Sequence, residues 1–160
     1  MSKHHTILIF ASGSGTNAEQ IIRHFSPIRN IKVAGVYTNN PSAYVIERVK
    51  EFDVPTFLFS REQLNDPYAL LAELKDKNPN LIVLAGFLWK IPPHIVEAFP
   101  NKIINIHPSL LPKFGGKGMF GRHVHQAVID AKEAESGISI HYVNSQYDKG
   151  AIIFQAKTTV

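Results

Sequence analysis

Short apolar runs rich in β-formers alternate along this chain with stretches of helical periodicity, and that alternation limits the fold more than any other feature. Residues 6–11 (TILIFA), 31–38 (IKVAGVYT), 56–59 (TFLF), 81–85 (LIVLA) and the pair Ile103-Ile104 read as strands. Between them, Ile21, Ile22 and Phe25 recur at helical spacing, as do Val45, Val49 and Phe52 on a helix that Ser42 is expected to cap. Asp66-Pro67 precedes a further helix over 68–77, whose Leu70, Leu71 and Leu74 form a buried stripe, and Pro92 or Pro93 opens another that runs to about Phe99. The unbroken apolarity of LIVLA marks a strand covered on both faces. The expected fold is therefore α/β: a doubly wound, mostly parallel, Rossmann-like sheet flanked by helices. Two later β-rich runs, 136–143 and 151–158, are joined by the turn 144–150 and add a C-terminal hairpin to it.

The chain has 160 residues, 44% of them hydrophobic, enough for one well-buried core, so a single domain over 1–160 is expected. Charged residues are scattered and the net charge is only +4, which favours anionic small molecules as readily as nucleic acid. No basic stripe with interleaved aromatics points to nucleic acid. There is no Cys, so disulfides and thiolate chemistry are excluded. Residues 1–5 lack the pattern of a signal peptide and no apolar run reaches membrane-spanning length, so the cytoplasm is the expected location.

Three stretches leave the carboxyl ends of predicted strands. The first, Ser12-Gly13-Ser14-Gly15-Thr16-Asn17, lies between a strand and a helix, an order that offers free backbone N–H groups and a positive helix end to an anion. Asn17 stands near the place of the third glycine of a dinucleotide fingerprint, and the second strand ends Tyr37-Thr38-Asn39-Asn40 without a ribose-binding acid, which disfavours a nicotinamide cofactor. No Gly-Lys-Ser/Thr follows, which disfavours a nucleoside-triphosphate loop. The second stretch, Gly86-Phe87-Leu88-Trp89-Lys90-Ile91, carries the only Trp. In the third, Asn105-Ile106-His107-Pro108-Ser109-Leu110-Leu111-Pro112, Asn105 and His107 project from one side of a strand end that Pro108 terminates. An amide that donates and accepts beside an imidazole suits chemistry at a carbonyl. In an open α/β sheet the three loops share one crevice.

Residues 113–122 (KFGGKGMFGR) carry four glycines and read as a mobile loop able to close over a ligand. His123, His125 and His141 meet no fixed ligand spacing, so no metal site is expected. Asp148 lies in the hairpin turn, where ordinary turn chemistry also accounts for it.

The motifs ASGSGTN, LAGF, NIHPSLLPKF and YDKGAII together give the chain a resemblance, running from Thr6 to its end, to the folate-dependent formyltransferase family. The early glycine loop narrows the resemblance to members that formylate a phosphoribosylated amine. It implies transfer of the formyl group of 10-formyltetrahydrofolate, a cosubstrate that needs no metal, to the amine of 5-phosphoribosylglycinamide in de novo purine biosynthesis. By motif it assigns Asn105, His107 and Asp148 to catalysis. Asn105 would hold the formyl oxygen, His107 as imidazolium would stabilise the oxyanion, and Asp148 would favour that charge and position a proton-relaying water. It places Gly15, Thr16, Asn17, Ala18 and Glu19 against the phosphoribosyl substrate, with Gly13 and Ser14 shaping the turn. Arg61, Leu88, Trp89, Lys90, Ile91, Asn105 and Asn144 would line the folate pocket. Family members continue past the position of Val160 with a tail that supplies a helix and further substrate contacts. Expected partners are small molecules, with no nucleic acid or membrane, and the expected state is a monomer or homodimer. Two other readings stay open here: a hydrolase releasing formate from the same folate, and a noncatalytic phosphometabolite-binding module.

Overall fold

A computed structural model describes residues 3–160. Its seven strands form one sheet in the order β3-β2-β1-β4-β5-β6-β7. The first five, β1 (His5–Phe10), β2 (Ile31–Thr38), β3 (Thr56–Leu58), β4 (Leu81–Leu84) and β5 (Ile103–His107), are mutually parallel. β6 (Glu135–Tyr142) and β7 (Ile152–Thr159) run antiparallel and extend the sheet beyond β5 as the expected hairpin. Winding proceeds from β1 outward to β3, then returns to β4 on the other side of β1. The strand order therefore reverses between β1 and β4, and a crevice opens at their carboxyl ends.

Period-two alternation within the strands feeds two apolar layers. Leu8, Phe10, Ile82 and Leu84 face one layer, where Leu70, Leu71 and Leu74 of α4 (Leu70–Lys77) and Ile95 of α5 (Pro93–Ala98) cover them. Ile7, Ile9, Val36 and Val83 face the other, against Ala18 and Ile22 of α1 (Thr16–Phe25) and Val45 of α2 (Val45–Arg48). Because both faces are covered, the strands read as continuous apolar runs. Each wholly buried Leu or Ile contributes roughly 1.5–3 kcal/mol relative to its exposed state. No helix among the described residues is long and apolar enough to cross a membrane.

The local expectations that fail do so where short polar side chains satisfy the backbone outside a helix. Ser42 caps nothing: its amide donates to Asn40 Oδ1 at 2.9 Å in a turn, and α2 begins only at Val45. That helix lasts one turn, tightens into a 3-10 turn at Lys50–Phe52 and ends at Asp53 in the left-handed region, although Val45 and Val49 are buried as the stripe required. Tyr68 likewise precedes α4, since its amide donates to Asp66 Oδ1 at 2.8 Å. A helix not anticipated, α3 (Arg61–Asn65), starts from a reciprocal cap in which the Gln63 amide donates to Ser60 Oγ and the Ser60 amide to Gln63 Oε1. The last helix is α6 (Arg122–Asp130).

Gly137 of β6 is held close to its neighbours. A Cβ there would overlap the Ala156 carbonyl oxygen of β7 and stand 2.8 Å from Leu110 Cδ2 in the turn after β5. Gly137→Ala is expected to lower stability by about 1–3 kcal/mol, read as a lower urea midpoint with an unchanged slope.

Candidate active site

Loops from the ends of β1, β4 and β5, with the turn between β6 and β7, enclose a cleft of about 430 Å³. Its walls include Gly13–Asn17, Leu88–Ile91, Asn105, His107, Asn144 and Asp148. The three loops expected to share one crevice thus do so. The Ser12 hydroxyl ties two of them, donating to Asn39 Oδ1 at 2.7 Å and accepting from the Leu88 amide at 3.0 Å.

The glycine loop has an asymmetric hydrogen-bond pattern. The Gly13 carbonyl accepts from the Val45 amide at 3.0 Å, and the Gly15 carbonyl from the Glu19 amide at 2.9 Å. The Ser14 carbonyl accepts from Arg48 Nε at 2.7 Å. By contrast, the amides of residues 13–18 donate to no group among the described residues. Gly15 caps α1 with φ +75°, and a Cβ on it would run into Val45. A loop with its acceptors occupied and its donors open at a helix start is suited to an anion.

Two residues expected to touch a ligand here have their side chains elsewhere. Ala18 is wholly buried in the α1 layer. Glu19 pairs with Arg48 at 2.8 Å and Arg23 at 2.9 Å, and those guanidinium groups hold its carboxyl below the usual value.

On the cleft floor four polar side chains meet. Asn105 and His107 share one face of β5, and the antiparallel register sets His141 opposite Asn105. Asn105 Nδ2 lies 3.1 Å from His141 Nε2. Asp148, brought in by the hairpin turn at φ +52°, presents Oδ1 to His107 Nδ1 at 3.5 Å and to His141 Nε2 at 3.4 Å. Its Oδ2 accepts from the Gly116 amide at 2.9 Å.

The far nitrogen of each ring faces a backbone carbonyl, His107 Nε2 at Phe114 O (2.8 Å) and His141 Nδ1 at Tyr142 O (3.0 Å). Carbonyls only accept, so those two nitrogens carry hydrogen and the other nitrogen of each ring faces Asp148. Burial pushes the Asp148 carboxyl up. The His141 bond, the Gly116 amide and the neighbouring imidazoles outweigh it and hold the carboxyl below its ordinary value.

His141 is the residue that motif reading missed as part of this cluster. Nothing local distinguishes it; only the β5–β6 register does. A buried net also braces the turn after β5. The Ser139 hydroxyl donates to Ser109 O and accepts from the Leu111 amide and Gln155 Nε2. The glycine-rich stretch 113–122 lines the cleft through Gly116, Gly118, Met119, Phe120 and Gly121, and it is anchored to the floor where the Phe114 carbonyl faces His107 and the Gly116 amide donates to Asp148.

The apolar wall is built as expected, with Leu88 half exposed and Ile91 buried at its base. Trp89 packs edge-on to Phe59, under the Arg61 guanidinium at 4.2 Å, and Arg61 itself is not part of the cleft lining. Lys90 Nζ sits 5.1 Å from the Tyr147 ring, across the mouth from the wall to the hairpin turn. Among the described residues, no group of three or more His, Cys, Asp or Glu side chains is arranged to hold a metal ion.

Residues 5–160 match the family model described as "Formyl transferase". Among curated proteins, the chain is 36% identical to the chloroplastic phosphoribosylglycinamide formyltransferase of Arabidopsis thaliana, over 96% of this chain and 55% of that protein. It is also 36% identical to the phosphoribosylglycinamide formyltransferase of Haemophilus influenzae, over 96% of this chain and 73% of that one. Among solved structures, glycinamide ribonucleotide transformylase 1 from Symbiobacterium toebii superposes with a TM-score of 0.89 at 30% identity, covering 100% of this chain and 76% of that one. The Bacillus halodurans phosphoribosylglycinamide formyltransferase gives 0.84 at 36% identity, over 97% and 80% of the two chains. This chain thus spans about half the length of the plant relative and about three quarters of the bacterial ones.

Because the Asp148 carboxyl lies below its unfolded value, its stabilising contribution is complete above the ordinary carboxylate value of about 3.9 and is lost as pH falls through the folded-state value. Urea unfolding followed from neutral pH into acid should show wild-type stability falling more steeply than that of Asp148→Asn. Parallel curves would remove Asp148 from this linkage.

Proposed function

The chain belongs to the formyl transferase family, and from that premise we propose that it transfers the formyl group of 10-formyltetrahydrofolate to the amine of 5-phosphoribosylglycinamide in de novo purine biosynthesis. The observation that carries this reading is the meeting, in one cleft, of a loop whose backbone amides stand open with a floor of Asn105, His107, His141 and Asp148. The loop suits a phosphate and the floor suits acyl transfer. Residues 3–160 act in this reading as one catalytic unit.

The acceptor's phosphate lies at the amides of residues 13–18, so that Gly13, Ser14, Gly15, Thr16, Asn17 and Ala18 contribute backbone rather than side chains. Glu19 acts from behind the loop. The folate lies along Leu88, Trp89, Lys90 and Ile91 with Asn144 opposite, and Arg61 braces Trp89 at the outer edge. This arrangement directs the amine and the formyl carbon to the floor.

The amine nitrogen then attacks the formyl carbon, forming the new C–N bond and pushing the carbonyl electrons onto oxygen. Asn105 Nδ2 donates to that oxygen, and His107, protonated at both nitrogens, places positive charge beside it. A water positioned by Asp148 takes the proton released by the attacking nitrogen and passes one to the folate nitrogen as the old C–N bond breaks. Atoms balance: one N–H is lost by the amine and one gained by the folate. His141 holds Asp148 from the second side, which fixes the carboxylate while the proton moves through the water.

Mixing the protein with both substrates and following absorbance of the deformylated folate tests the proposal. Turnover should require the phosphoribosylated amine; formate release at full rate without it would overturn the reading. His107→Ala and Asp148→Asn are each expected to lower kcat by roughly 100-fold or more with little change in the acceptor KM.

A further inference from the structure

An anion-binding loop works only if its carbonyl oxygens are turned away from the anion, since each one facing it would repel it. Of the Gly13, Ser14 and Gly15 carbonyls, two are turned by backbone amides, Val45 for Gly13 and Glu19 for Gly15. The Ser14 carbonyl has no backbone donor. It is held by a side chain, Arg48 Nε at 2.7 Å, from a helix that contributes nothing to the cleft wall.

The same guanidinium has a second task. Its Nη1 pairs with Glu19 Oε2 at 2.8 Å, and Glu19 stands in the first turn of α1, next to the open amides. A bare carboxylate there would oppose any anion at the helix start. The Arg48 side chain is three-quarters covered and its guanidinium lies 5.0 Å from the Tyr44 ring centroid, so the group is fixed in this position. Arg23 also reaches Glu19, at 2.9 Å, but among the described residues it makes no hydrogen bond to Ser14.

We infer that Arg48 is a positioning residue for the acceptor's phosphate: it turns the Ser14 carbonyl out of the anion site and neutralises Glu19 without touching the substrate. The inference rests on the proposed formyl transfer to a phosphorylated amine. It assigns Arg48 to one substrate only, because among the described residues neither the folate wall nor the cleft floor shares a hydrogen bond or ion pair with it.

Steady-state kinetics separate this role from a structural one. In Arg48→Met, folding being checked by circular dichroism and thermal melting, the KM for phosphoribosylglycinamide should rise about tenfold or more, as for loss of a charged hydrogen bond. The KM for 10-formyltetrahydrofolate and kcat at saturating acceptor should hardly move. Inorganic phosphate, as a competitor of the acceptor, should weaken in parallel. Arg48→Lys keeps one cation but cannot serve both partners, so it should fall between the two. Arg23→Met, which leaves Ser14 alone, should keep the wild-type acceptor KM. An unchanged acceptor KM in folded Arg48→Met, an equal rise in both KM values, or the same effect in Arg23→Met would overturn the inference. If Arg48→Met does not fold, Arg48→Lys decides, and an unchanged acceptor KM there overturns it. A wild-type protein without turnover would instead reject the proposed reaction. Calorimetric titration of inorganic phosphate into wild type and the Arg48 variants would then judge Arg48 by itself, with equal affinities counting against it.

Discussion

Asp148 is the point on which the cleft floor depends. One of its oxygens faces two buried imidazoles and the other takes a backbone amide from a separate loop, so a single carboxylate joins β5, β6, the hairpin turn and the glycine-rich stretch. Burying a charge is costly unless it is paired and hydrogen-bonded. Here the partners outweigh burial, and the direction of the carboxyl's shift records the result. The same arrangement turns His107 Nδ1 and His141 Nε2 inward to Asp148, because backbone carbonyls take the outward nitrogens.

Most of the frame that brings these groups together was legible in the residues. β1 and β4 are buried on both faces over most of their length, and such burial leaves apolar runs that need no partner to be recognised. The Leu70, Leu71, Leu74 stripe and the hairpin turn were legible for the same reason: each is a local pattern. The start of α3 has a local signature too, a Ser and a Gln three residues apart. Ser42 misled because a residue suited to a cap is equally suited to the turn that Asn40 makes with it.

The site was legible only as far as motifs reach. His141 owes its place in the cluster to a cross-strand register, and the Glu19 side chain is turned to an arginine on another helix; neither relation leaves a trace in local spacing. The stretch 113–122 shows a different limit. Its glycines signal conformational freedom, yet what the protein uses there is a carbonyl and an amide, groups every residue has and no composition reveals.

The turn between β6 and β7 also acts as a measured tether. His141 is fixed by pairing with Asn105, and Asp148 must come back to that ring from a turn that starts two residues later. Adding or removing a residue between them would change the reach of the chain and the side on which the carboxylate emerges. Surface loops usually absorb such length changes easily. This one, though largely exposed, has its length set from within, so tolerance to insertion should be found on the opposite end of the sheet, away from the carboxyl ends of the parallel strands.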